Sequence, residues 1–147
     1  MRRLQGDHEQ GTISVFVVGL VVALMILAGL VVDGGRAVNA RASATDDAEQ
    51  AARAGANQID DGVLRSSGRV VIDQPAARQA AADFLAARGY ARGEVEVVVD
   101  GASVRVSVGD DVPTALLSLI MINSFHVTGS ATARAAVGIV DEIGGAP

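Results

Sequence analysis

ISVFVVGLVVALMILAGLVV, residues 13–32, is the stretch whose reading decides the fold. It is a run of about 20 residues without a charge. At about 1.5 Å of rise per residue a helix of this length crosses a hydrocarbon core about 30 Å thick. Valine, leucine, isoleucine and phenylalanine fill most of it, and each favours insertion by a few tenths of a kcal/mol. A single span can satisfy its own backbone groups in lipid only as a helix. The run therefore predicts one transmembrane helix, with a short polar tail over 1–12 before it and a small domain after it.

The whole chain has 147 residues, room for that span and one small domain. Half of it is hydrophobic, but only 3% is aromatic and there is no tryptophan. A core of valine and alanine buries little area per residue, so the domain is expected to be only modestly stable. The chain has no cysteine. That excludes disulfides, thiolate metal sites and cysteine nucleophiles. A net charge of -5 argues against a nucleic-acid partner. All basic residues are arginine, a usage that follows a GC-rich genome more than a function.

Arg2 and Arg3 in the tail fit either a cytoplasmic anchor or the n-region of a cleavable signal. The apolar run is longer than an ordinary signal h-region. Ala40, Ala42 and Ala44 would be the small residues of a cleavage site. A prepilin-type leader would place Glu five positions after Gly, but Gly6 is followed there by Gly11, and Glu9 comes too early. Arg2, Arg3 and the free amine before the span nearly balance Arg36 and Arg41 after it, so the positive-inside rule gives almost a tie. A short tail is easily retained, which puts the N-terminus inside.

Helix-forming residues continue past the span. Segment 33–59 has no proline and is rich in alanine, arginine, glutamine and glutamate. Asp33, Gly34, Gly35 and Arg36 mark the membrane boundary. Each glycine costs about 1 kcal/mol against alanine, making this the expected place for a kink or for the end of the membrane part. Asp33 can pair with Arg36 at i, i+3. It reads as an interfacial end-marker or as an intersubunit contact. Beyond it runs a seam of small residues: Ala37, Ala40, Ala44, Ala48, Ala51 and Gly55, ending at Ile59. The average spacing is about 3.67 residues per turn, the period of a nearly straight helix. Such a ridge lets another element approach closely. Its occupant is either the chain's own domain or a sister subunit.

Segment 60–137 reads as a small domain. Asp60, Asp61 and Gly62 break the helix, and Ser66 to Gly68 continue as a loop. Arg69 to Ile72 reads as a short strand. Asp73, Gln74 and Pro75 start a second helix over Ala76 to Arg88, stopped by Gly89. Ala77, Ala80, Ala81, Phe84 and Leu85 share one of its faces. From Glu94 the period becomes two. Val95, Val97 and Val99 answer Val104, Val106 and Val108 across an Asp100-Gly101 turn, a hairpin with one buried face. Thr114 to Met121 is a short apolar helix or turn. A last strand alternates Phe125, Val127, Gly129, Ala131, Ala133 and Ala135 with polar residues. Because its apolar residues shrink, something bulky is expected to cover that end. Residues 138–147 read as a loose tail. The fold class is α+β: a long membrane and stalk helix, then a three-stranded, mostly antiparallel sheet with one or two short helices.

Chemistry is sparse. His8 and His126 are the only histidines and fall on different parts of the predicted fold. No serine has a base partner for a triad. Asp46-Asp47, Asp60-Asp61 and Asp110-Asp111 lack the spaced ligands of a calcium loop and read as solvated turn and cap residues. There is no lysine-bearing phosphate loop. No catalytic residue, metal, cofactor or small-molecule substrate is expected.

Three stretches carry a resemblance: QGTISVFVVGL from Gln10, LVVDGGRA from Leu30, and ATDDAEQAARAGA from Ala44. Together they resemble the N-terminal segment of the TadE/TadG-like proteins of the tight-adherence (Flp, type IVb) pilus assembly system. Gly11, Asp33, Gly35 and Arg36 match that family's boundary pattern, and Asp46 to Ala54 match more loosely. Larger TadG-like members carry a metal-dependent adhesion domain, and the DxSxS pattern of such a domain is absent here. The resemblance implies a non-enzymatic, single-span minor pilin or assembly factor with its domain outside the cytoplasmic membrane. Its partners would be the membrane and other pilus-assembly or pilin-like subunits, met through helix packing. An exported, membrane-tethered binding or structural module of the envelope is the other reading.

Overall fold

The computed structural model describes residues 8–135. The predicted tail 138–147 and most of the predicted tail 1–12 lie outside them. Helix α1 runs unbroken over His8–Ala56, about 70 Å at the usual rise. Gly34 and Gly35 do not interrupt it. Below them an apolar helix has no cheaper way to satisfy its backbone, and above them packing holds the next turns, so the propensity cost is outvoted.

Past α1 the chain turns at once into α2 (Asp61–Ser67), where the sequence suggested a loop. The Asp60 side chain caps it by accepting from the Val63 N–H at 3.0 Å. Gly68, at φ 67°, closes it with a bond from its N–H to the Leu64 carbonyl. The expected strand over Arg69 to Ile72 is a single antiparallel bridge, Ile59 with Ile72, because its neighbours on either side are helices. Helix α3 (Gln74–Ala87) starts as predicted: Asp73 caps the Ala76 N–H, and Pro75 lies in the first turn. It buries Ala77, Ala81 and Leu85.

The sheet has the order β1-β2-β3 and is antiparallel throughout. Its strands are β1 (Val95–Asp100), β2 (Ser103–Pro113) and β3 (Ser124–Arg134). The hairpin pairs Val95 with Val108, Val97 with Val106 and Val99 with Val104. Asp100 still pairs with Ser103, so the turn residues are Gly101 and Ala102, one position later than expected, with Gly101 at φ 55°. β2 runs on through Asp110 and Asp111 to Pro113, paired with β3 along its whole length.

One face of the sheet receives α1 and α3. Ala44, Ala48, Ala51 and Ala52 of α1 are fully buried, together with Ile72, Leu85, Val104 and Val106. The shrinking apolar residues of β3 are explained here. A Cβ placed on Gly129 would sit 2.4 Å from the Ala44 carbonyl carbon. The cover is therefore the backbone of α1 itself, and small residues on both sides let it approach. The upper part of α1 is thus core of the domain, while the lower part projects beyond it.

Candidate functional site

The projecting part of α1 is the first component of the site. It is the one described helix long and apolar enough to cross a membrane, with a mean hydropathy of 3.1 over its most apolar window. Its large side chains, among them Val15, Phe16, Leu24 and Val31, are exposed. An apolar stripe normally turns toward a core. Here residues on all sides of the helix are bare, which suits a solvent of lipid.

Asp33 stands where this bare rod meets the domain. Its residue is 1% exposed. The carboxylate accepts three backbone N–H bonds from the β2–β3 connection: Ala115 at 2.8 Å, Leu116 at 2.9 Å and Leu117 at 2.8 Å. These are the donors left over at the start of the 3-10 turn Leu117–Ile120. Arg36 lies 4.0 Å away and half exposed, so the i, i+3 pair exists but is the weaker contact. The contacts of Asp33 thus lie within its own chain. Asp33 clasps a segment 82 residues or more further along the chain. Beside it, Gly29 meets Leu116 and Leu117 so closely that a Cβ would lie 3.1 Å from the Leu116 Cβ. No spacing rule links positions so far apart, so the sequence pointed to Asp33 but not to its partners.

A second carboxylate locks the upper half of α1. Asp47, read from the sequence as solvated, is buried. It takes an ion pair from Arg88 at 2.7 Å and a hydrogen bond from the Tyr90 hydroxyl at 3.1 Å. Arg88 also lies over the Phe84 ring, 5.1 Å from its centre. Desolvation and the Asp47 contact push the Tyr90 hydroxyl up to about 12. The signal was available: Asp47 falls one helical turn after Ala44, on the buried side.

The small-residue seam divides in two. Ala44, Ala48, Ala51 and Gly55 lie under the chain's own domain; a Cβ on Gly55 would come within 3.1 Å of the Ala77 carbonyl oxygen and Val104. Ala37 and Ala40 stay partly exposed. Gly34 and Gly35 face open space. His126 pairs with Asp111 at 3.0 Å on the outer, exposed face of the sheet. Among the described residues no group of His, Cys, Asp or Glu is placed to hold a metal ion. What the arrangement offers is an apolar rod, a clasped apolar segment beside it, and a small domain fixed to the rod's far half.

Comparison with known families returns one model, putative Flp pilus-assembly TadE/G-like, matched over residues 11–58. The match covers about a third of the chain and coincides almost wholly with α1. Searches of curated proteins and of solved structures return no match.

Proposed function

We propose that this chain, TadE/G-like over residues 11–58, is a non-enzymatic minor pilin or assembly factor of a Flp-type pilus. One observation carries the reading: the matched segment is a single helix, bare and apolar below Asp33 and built into a small domain above it. That division suits a pseudopilin-like subunit, anchored by one span and presenting its domain on one side of the membrane. The N-terminus lies in the cytoplasm and the domain outside, the orientation in which a short tail is retained. Contacts with other subunits run through the span and through the boundary residues left open, Gly34, Gly35, Ala37 and Ala40. There small residues allow close helix approach.

The test is replacement of residues 13–32 by an unrelated apolar span of equal length, in a strain lacking the native copy. Loss of assembled pili, with the protein still membrane-bound, supports a docking role for the span. Normal pili with the replaced span would reduce it to a tether, and normal pili in the deletion strain would remove the reading.

A further inference from the structure

Outside the span, exposed large hydrophobics concentrate in one place. Leu116, Leu119, Ile120, Met121 and Ile122 are all exposed, and among the described residues only Val38 and Val98 join them. Residues 114–123 carry no charge. This segment does not face away from the rod. With Val22, Met25, Ile26 and Ala28 it encloses an apolar groove of about 250 Å³.

We propose that segment 115–122 is a second membrane anchor, sunk into the leaflet on the Asp33 side, with lipid acyl chains filling the groove. This rests on the reading that residues 13–32 cross the bilayer, and lengths then decide the matter. If the segment stayed in water, the part of α1 beside it, Val22 to Asp33, would stay in water too. Only Ile13 to Val21 would remain to cross, about 13 Å against a hydrocarbon core of about 30 Å. With the segment immersed, the full run crosses, and the groove reaches about 15 Å below Val32, near mid-bilayer.

Immersion of non-helical backbone demands that its polar groups have partners. They are provided. The three leading N–H groups go to Asp33. Leu119 N–H bonds to Leu116 O, Met121 N–H to Ser118 O, and Ile122 N–H to Leu117 O. The Ser118 hydroxyl donates to Ala115 O and the Thr114 hydroxyl to Ile122 O. Here Asp33 acts as a positioning residue that lets the segment enter lipid.

The test uses the full chain, which has no native cysteine. Single-cysteine variants L24C, L119C, M121C and S66C are labelled with an environment-sensitive fluorophore. They are reconstituted into phosphatidylcholine–phosphatidylglycerol vesicles, with and without nitroxide on the acyl chains. Leu119 and Met121 are 73% and 89% exposed, so labelling them disturbs little packing, and circular dichroism confirms that each variant is folded. The expected result is a blue-shifted emission at positions 119 and 121, quenched by the lipid nitroxide as strongly as at 24, while 66 reports water. Positions 119 and 121 behaving like 66, with 24 dry, would overturn this inference and leave the span standing. A wet position 24 would overturn both. Blue-shifted emission at 119 that lipid nitroxide fails to quench would mean that protein covers the segment, which also overturns it.

Discussion

Replacing Asp33 by alanine removes one carboxylate and leaves three backbone donors without their acceptor. All three bonds are short, between 2.8 and 2.9 Å, and Asp33 is the only side chain that supplies them. A donor left unsatisfied away from water costs about 1–3 kcal/mol. Ala115 and Leu116 belong to residues that no protein covers and regain part of this by local rearrangement, whereas Leu117 is buried. Taking the low end for all three gives about 3 kcal/mol, or roughly a 10²-fold rise in the open form of the segment. The side chain of Leu117 still packs against Gly29, so opening is expected to be local rather than global. The assay is hydrogen exchange of the amides at 115–117 in lipid nanodiscs, with α3 amides as the internal reference. D33A should speed exchange at these three positions by that factor and leave α3 unchanged. D33N keeps one acceptor oxygen and should fall between. Protection at 115–117 equal to that of the parent protein would refute the clasp, and loss of protection everywhere would refute its local character.

The remaining expectations concern the upper half of the molecule. G129A drives a Cβ into the backbone of α1 and should cost about 3 kcal/mol or more, read as a lower thermal midpoint in detergent. A44L and A48L overfill positions with no free surface and should each cost about 1–3 kcal/mol, while A40L, at a partly exposed position, should cost well under that. D47N removes the negative charge beside the chain's only tyrosine but not its burial; the Tyr90 titration, followed by ultraviolet absorbance, should move from about 12 part of the way toward 10. For the parent protein, the folded form holds the Tyr90 proton to higher pH than the unfolded form does. Stability from this group is therefore intact below about pH 10 and declines as pH rises from 10 to 12. A flat stability profile across that window would contradict the assignment.

Much of the architecture was legible because its determinants are local. The span shows in an uninterrupted apolar run, the hairpin in two triplets of alternating valines, and the start of α3 in Asp73 and Pro75. Local signals also sufficed for α2, where Asp60 and Gly68 are ordinary cap residues, but Ser66 and Ser67 drew attention to a loop. The turn was misplaced by one residue because Asp-Gly is a strong hairpin signal, while here Asp100 closes the ladder and Gly101 opens the loop. What could not be read was tertiary. Asp33 finds its partners 82 to 84 residues away, and Asp47 finds Arg88 and Tyr90 more than 40 residues on. Small residues on β3 predicted a close neighbour without saying that it would be the helix already identified. The seam admitted either an internal or an external occupant, and periodicity carries no information about which.

The account's central claim is that α1 lies in lipid below Asp33 and in protein above it. Alkaline carbonate extraction of membranes from cells making the full-length chain, followed by protease treatment of sealed vesicles, tests this most directly. The account predicts a protein that stays with the membrane, with the whole rod intact and residues 13–32 protected. Release into the aqueous fraction, or recovery of a domain from which the apolar run has been cut away, would contradict it.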